Sequence, residues 1–128
     1  MRRAAGTTID VAVVQVGIND VCRAGTDPAR LARFRADYRE VLQRLSSARL
    51  VVVVPPLPVL ACGAHGTEAA LVAHRDVVLE LAAEQPGVRV ADPLPSWHPD
   101  AMLMTDGLHP NALGRAAIAA TVRAALAP

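Results

Sequence analysis

Ile9-Asp10-Val11-Ala12-Val13-Val14-Gln15-Val16-Gly17-Ile18-Asn19-Asp20 is the stretch that decides the fold. The run from Ile9 to Val16 is β-branched and apolar without clean alternation. Such a strand is covered on both faces, as strands of a parallel sheet are. Gly17 then lets the backbone turn, and Asn19 and Asp20 carry polar groups past the strand end. Asn-Asp after a strand is ordinary turn chemistry. It is also a place where side-chain donors and acceptors leave the sheet edge together, with Asp20 read as holding the loop by accepting backbone N–H groups.

Working outward, Asp27-Pro28 is a helix N-cap followed by a first-turn proline. Leu31, Phe34, Tyr38, Val41, Leu42 and Leu45 recur behind it at helical spacing, with the arginines mostly on other faces. Leu50 to Val54 is a second buried strand, stopped by Pro55-Pro56, and Leu57 to Gly66 is a loop. Thr67 to Glu84 reads as a helix with Leu71, Val78 and Leu81 toward the core. Pro86-Gly87 ends it, Val88 to Ala91 is a short third strand, and Asp92 to Thr105 a proline-rich loop. Asn111 to Leu126 closes the chain as an alanine-rich helix. At the other end, Met1 to Gly6 reads as the last turn of a helix, with basic residues and then glycine. The strand–helix alternation predicts an α/β fold with right-handed crossovers. The expected architecture is a three-layer, flavodoxin-like parallel sheet, incomplete, with about three strands and flanking helices.

A second motif stands before the closing helix: Met104-Thr105-Asp106-Gly107-Leu108-His109-Pro110-Asn111. An Asp three residues before a His can fold back and accept the Nδ1 proton, which leaves Nε2 free to take a proton from a hydroxyl. Taken alone, the same spacing is met by a turn and helix cap with an exposed histidine. Ligands of open parallel sheets bind outside the carboxyl ends of the strands. Asn19 follows the first strand and the Asp106 loop follows the third, so both motifs arrive at that edge.

An apolar strand ending in Gly-x-Asn-Asp, with Asp-x-x-His-Pro before the last helix, resembles the SGNH (GDSL-type) hydrolases. The resemblance covers nearly the whole chain but only part of the family's pattern. It implies a serine ester hydrolase acting on a short acyl, lipid or acetylated-sugar ester, with no metal or other cofactor. The matching positions are Asn19, as oxyanion donor, and Asp106 with His109, as the acid and base of the triad. The family's Gly-Asp-Ser nucleophile block is missing. Only Met1 to Thr8 precede the first strand, and Ser46, Ser47 and Ser96 lack that context. The expectation is one domain over residues 1–128, N-terminally truncated, corresponding to the C-terminal part of such an enzyme and inactive alone. The alternative is a non-catalytic relative that binds acyl or sugar ligands, or half of a two-chain assembly. A truncated sheet also leaves Ile9 to Val16 as an edge strand open to self-association.

The 128 residues, 52% hydrophobic and 20% charged, suit one globular domain rather than a disordered chain. A net charge of +1 gives no footprint for nucleic acid. No apolar run approaches the roughly 20 residues of a membrane span. Arg2 and Arg3 are followed by Gly6-Thr7-Thr8 where a signal peptide's apolar region begins, so the compartment stays open, with the cytoplasm as default. Cys22 and Cys62 have no metal-ligand spacing. They read first as two free, partly buried thiols, with a disulfide as the alternative, since both follow strands expected to be neighbours. Cys22 as a substitute nucleophile is a minor reading. His65, His74 and His98 are expected at the surface.

Overall fold

The computed structural model describes residues 8–128, so the expected helix end over Met1 to Gly6 lies outside the described residues. Three parallel strands form one sheet: β1 (Val11–Val14), β2 (Leu50–Val53) and β3 (Val88–Val90), in the order β1-β2-β3. Val11 pairs with Leu50 and Val14 with Val53, and on the other side Val51 pairs with Val88. The helices are α1 (Ile18–Ala24), α2 (Pro28–Arg44), α3 (Glu68–Ala83), α4 (Pro99–Met102) and α5 (Ala112–Leu126), with a 3₁₀ turn at Leu94–Ser96.

The central strand explains the layering. Alternate residues of a strand face opposite sides. Val51 and Val53 pack with Phe34, Tyr38 and Leu42 of α2 and Val77, Val78 and Leu81 of α3. Leu50, Val52 and Val54 pack with Leu57, Trp97, Met102, Leu103 and Ile118 on the other face. Both cores therefore meet on β2, all four of whose residues are buried. Each such side chain stabilises the fold by about 1.5–3 kcal/mol relative to exposure.

β1 departs from the expectation of two covered faces. Ala12 and Val14 join the core under α2 and α3, but Val13 is 50% exposed. The helix on that side, α5, sends Ile118 over the core shared with β2, and no described residue covers Val13. The strand is also shorter than Ile9 to Val16, because its ladder ends with Val54 N–H donating to the Val14 carbonyl.

Three elements were not foreseen. α1 replaces the turn expected at Asn19 and Asp20; it has seven residues and one buried side chain, Val21, too little to show a helical period. α4 and the 3₁₀ turn interrupt the loop expected over Asp92 to Thr105, each started by a proline in its first turn. Asn111 is the N-cap of α5 rather than its first residue, and Pro110 stands just ahead of it.

Two side-chain expectations are corrected. His74 is fully buried, its Nδ1 2.7 Å from the Ala70 carbonyl and its ring against Phe34. It lies three residues after Leu71 and four before Val78, on the buried stripe of α3. Cys22 and Cys62 are not free thiols: they form a disulfide with Cα atoms 4.8 Å apart, because α1 carries Cys22 round to the Leu57–Gly66 loop. That removes Cys22 as a nucleophile. His65 and His98 are exposed.

Candidate active site

The turn before α5 is built around Asp106. Its Oδ1 accepts the backbone N–H groups of Leu108 (2.9 Å) and His109 (3.0 Å). Its Oδ2 lies 2.6 Å from His109 Nδ1. Gly107 sits between them at φ +67°, a left-handed conformation that costs glycine little. The Gly107 N–H donates to the Met104 carbonyl, and Met104 N–H donates to the His109 carbonyl. Asn111 fixes the exit: its Oδ1 accepts Gly114 N–H, while its Nδ2 donates to the carbonyls of Ala101 and Leu103.

The hydrogen bond to the His109 side chain, then the backbone N–H groups of His109 and Leu108, hold the Asp106 carboxyl down to about 2 from its ordinary 3.8. An ionised carboxylate only accepts hydrogen bonds, so Nδ1 carries the proton and the Nε2 lone pair is free. Among the described residues no group bonds Nε2, and the His109 ring is largely exposed. A depressed carboxyl stabilises the folded turn in its ionised form. That contribution is full above roughly pH 4 and is lost as pH falls through about 2. Carbon-detected titration of the Asp106 carboxyl should find its midpoint near 2, moving toward 3.8 in His109→Ala. A midpoint near 3.8 in the unsubstituted chain contradicts the hydrogen-bonded turn.

Asn19 and Asp20 stand in the first turn of α1, exposed, and neither side chain has a hydrogen-bond partner among the described residues. Asp20 accepts no backbone N–H there. Gly17 precedes them at φ +124°, and a side chain on it would meet Pro56 and Phe34, so the turn out of β1 has no space for one. No hydrogen bond joins Asn19 to the Asp106–His109 pair. A hollow of about 130 Å³ lies past the strand ends, lined by neighbours of these residues rather than by the residues themselves. Gln15, Val16, Ile18, Val54, Trp97 and Leu108 are among its lining residues. Asn19 adjoins Ile18 in sequence, and His109 lies between Leu108 and Pro110.

Two groups that hold these walls were not singled out in the sequence. Trp97 Nε1–H donates to the Pro58 carbonyl at 2.8 Å. Arg75 is buried in α3, ion-paired with Asp92 and donating to the Pro56 carbonyl at 2.9 Å. The signal for Arg75 was present: it stands four residues after Leu71 and three before Val78, a charge on a buried stripe. Among the described residues no cluster of His, Cys, Asp or Glu suits a metal ion. No described helix is long and apolar enough to cross a membrane.

Comparison with solved structures finds the same fold in a hydrolase and in esterases. A crystal structure of LAE5, an alpha/beta hydrolase enzyme from the metagenome of Lake Arreo, Spain, superposes with TM-score 0.73 at 22% identity over 95% of this chain. A carbohydrate esterase family 3 protein from Talaromyces cellulolyticus gives 0.69 at 24% identity over 88% of this chain. A catalytic mutant of an acetylxylan esterase from Geobacillus stearothermophilus gives 0.67 at 19% identity, also over 88%. The matches span 62%, 55% and 57% of those chains respectively. A search of curated proteins gives no match. A family model described as GDSL-like Lipase/Acylhydrolase matches residues 1–117, and the chain belongs to that hydrolase family.

Proposed function

We propose that this chain supplies the base and oxyanion half of a serine ester hydrolase, with the nucleophilic serine on a segment outside these 128 residues. The observation that carries the proposal is the Asp106–His109 pair, with Nδ1 held by the carboxylate and Nε2 unbonded among the described residues. In the complete enzyme His109 Nε2 takes the proton from the serine hydroxyl as Oγ attacks the ester carbonyl. Asp106 stays ionised, fixes the tautomer and stabilises the imidazolium. The tetrahedral oxyanion receives the Asn19 side-chain N–H together with backbone N–H groups. Collapse expels the alcohol, which takes its proton from His109. Water then attacks the acyl-enzyme with His109 again as base, releasing the acid. No metal or other cofactor is required. The substrate is a small-molecule carboxylic ester, the class that a GDSL-like acylhydrolase family takes. The carbohydrate and acetylxylan esterases of the same fold favour an acetylated sugar over a lipid.

The reading of the DNA ahead of Met1 tests the assignment directly. An in-frame strand followed by Gly-Asp-Ser supports it, and a stop codon or promoter immediately upstream favours the non-catalytic, ligand-binding alternative. In the complete enzyme Asn19→Ala should lower kcat by about 10²–10³-fold, the range for one oxyanion donor. An enzyme indifferent to Asn19→Ala would remove that residue from the oxyanion hole.

The same reading bears on association. β1 lies at an edge of the described sheet, and Ile9, Val13 and Val16 are about half exposed. An apolar edge with unpaired backbone groups invites another strand. The 128-residue chain alone should therefore dimerise or aggregate in sedimentation at high concentration. A stable monomer with Val11 to Val14 amides slow to exchange would mean that this edge is covered.

A further inference from the structure

Resting on the roles given above to Asn19, Asp106 and His109, we propose that the Cys22–Cys62 disulfide and the Leu60–Ala61 N–H pair are positioning elements that hold the oxyanion donor and the base in register. Asn19 and Cys22 are three residues apart in α1 and so share one face of that helix. Cys22 is bonded to Cys62. The residues just before Cys62 grip the other motif: Leu60 N–H (2.8 Å) and Ala61 N–H (3.0 Å) both donate to the carbonyl of Gly107, between Asp106 and His109. The seat is tight, since a Cβ on Gly107 would stand 3.2 Å from Ala61 Cβ and 3.3 Å from Leu60 Cβ. A short path thus runs from the Asn19 helix through one disulfide and two hydrogen bonds into the Asp106–His109 turn. No hydrogen bond joins Asn19 to His109 among the described residues, so their separation depends on what stands between them.

The disulfide adds little to the two cores. Neither cysteine belongs to either cluster of buried apolar residues, and α1 stays docked through Val21, which is 2% exposed. Its placement serves the site better than it serves the packing. Gly66 completes the clamp: a side chain there would run into the Cβ, Sγ and carbonyl oxygen of Cys62.

The test is a double-mutant cycle in the complete enzyme between Cys22→Ser/Cys62→Ser and Asn19→Ala, with amide exchange of Leu60 and Ala61 alongside. Removing the bridge should lower kcat about 10²-fold with KM little changed, the loss expected when reacting groups are misplaced by about 1 Å. Asn19→Ala, costing about 10²–10³-fold with the bridge present, should cost less than about tenfold without it. Leu60 and Ala61 amides should exchange faster. Gly66→Ala, which displaces the bridge while leaving it closed, should reproduce the lost coupling if the serine variant folds poorly. A bridge of merely structural value would lower Tm and leave the Asn19 factor unchanged, which overturns the proposal. His109→Ala separates the two levels of the reading. Turnover surviving that substitution overturns the catalytic assignment itself. Turnover lost there but indifferent to the bridge overturns only the positioning role.

Discussion

The 128-residue chain alone should turn over short nitrophenyl esters no faster than roughly 10³–10⁴-fold above water. Losing the serine of a serine–histidine pair costs on the order of 10⁶ in kcat, and oxyanion donors and binding recover only the smaller factor. The serines and cysteines of the chain are misplaced or consumed. Ser46 and Ser47 follow the C-terminus of α2, and Ser96 ends the 3₁₀ turn after β3. Cys22 is bonded to Cys62. None of them bonds His109. Steady-state assay of the purified chain is sufficient to check this. Robust turnover abolished by His109→Ala would place a nucleophile within these residues and overturn the account of two halves.

In the complete enzyme, His109→Ala should lower kcat by about 10⁶-fold and leave KM nearly unchanged, because the proton acceptor acts in the transition state rather than in binding. Asp106→Ala should cost less, on the order of 10⁴-fold, since the imidazole would keep its basic nitrogen but lose the bond that sets its tautomer. The ordering follows from the geometry: Nδ1 is bonded to Oδ2 at 2.6 Å, which leaves Nε2 as the ring nitrogen free to accept a proton. Equal losses for both variants would mean that the turn loosens enough, without the Leu108 and His109 N–H bonds to Asp106, to misplace His109 as well. The effect on KM would then separate the two roles.

The fold was legible where burial is continuous. Leu50 to Val54 reads as a doubly covered strand because both cores meet on it, and α2 reads as a helix because Phe34, Tyr38 and Leu42 recur on its buried face. The Asp106 fold-back onto His109 was legible for a local reason: three residues and one glycine contain the whole turn. What escaped reading was short or tertiary. α1 buries only Val21, so no periodicity marks it. The disulfide joins residues 40 apart and depends on how α1 and the Leu57–Gly66 loop meet. His74 and Arg75 occupy buried positions whose side chains suggest a surface, the first bonded through Nδ1 to the Ala70 carbonyl and the second paired with Asp92 and the Pro56 carbonyl. The open face of Val13 depends on where α5 lies, which β1's own residues do not encode.

Covalent labelling of the complete enzyme with a fluorophosphonate, read by peptide mass spectrometry, tests whether the nucleophilic serine lies outside these residues and depends on His109. The reagent captures a serine only when a neighbouring base activates it. One labelled serine is expected, in a Gly-Asp-Ser context outside residues 1–128, with labelling lost in His109→Ala. Labelling of Ser46, Ser47 or Ser96, or labelling that persists without His109, would contradict it.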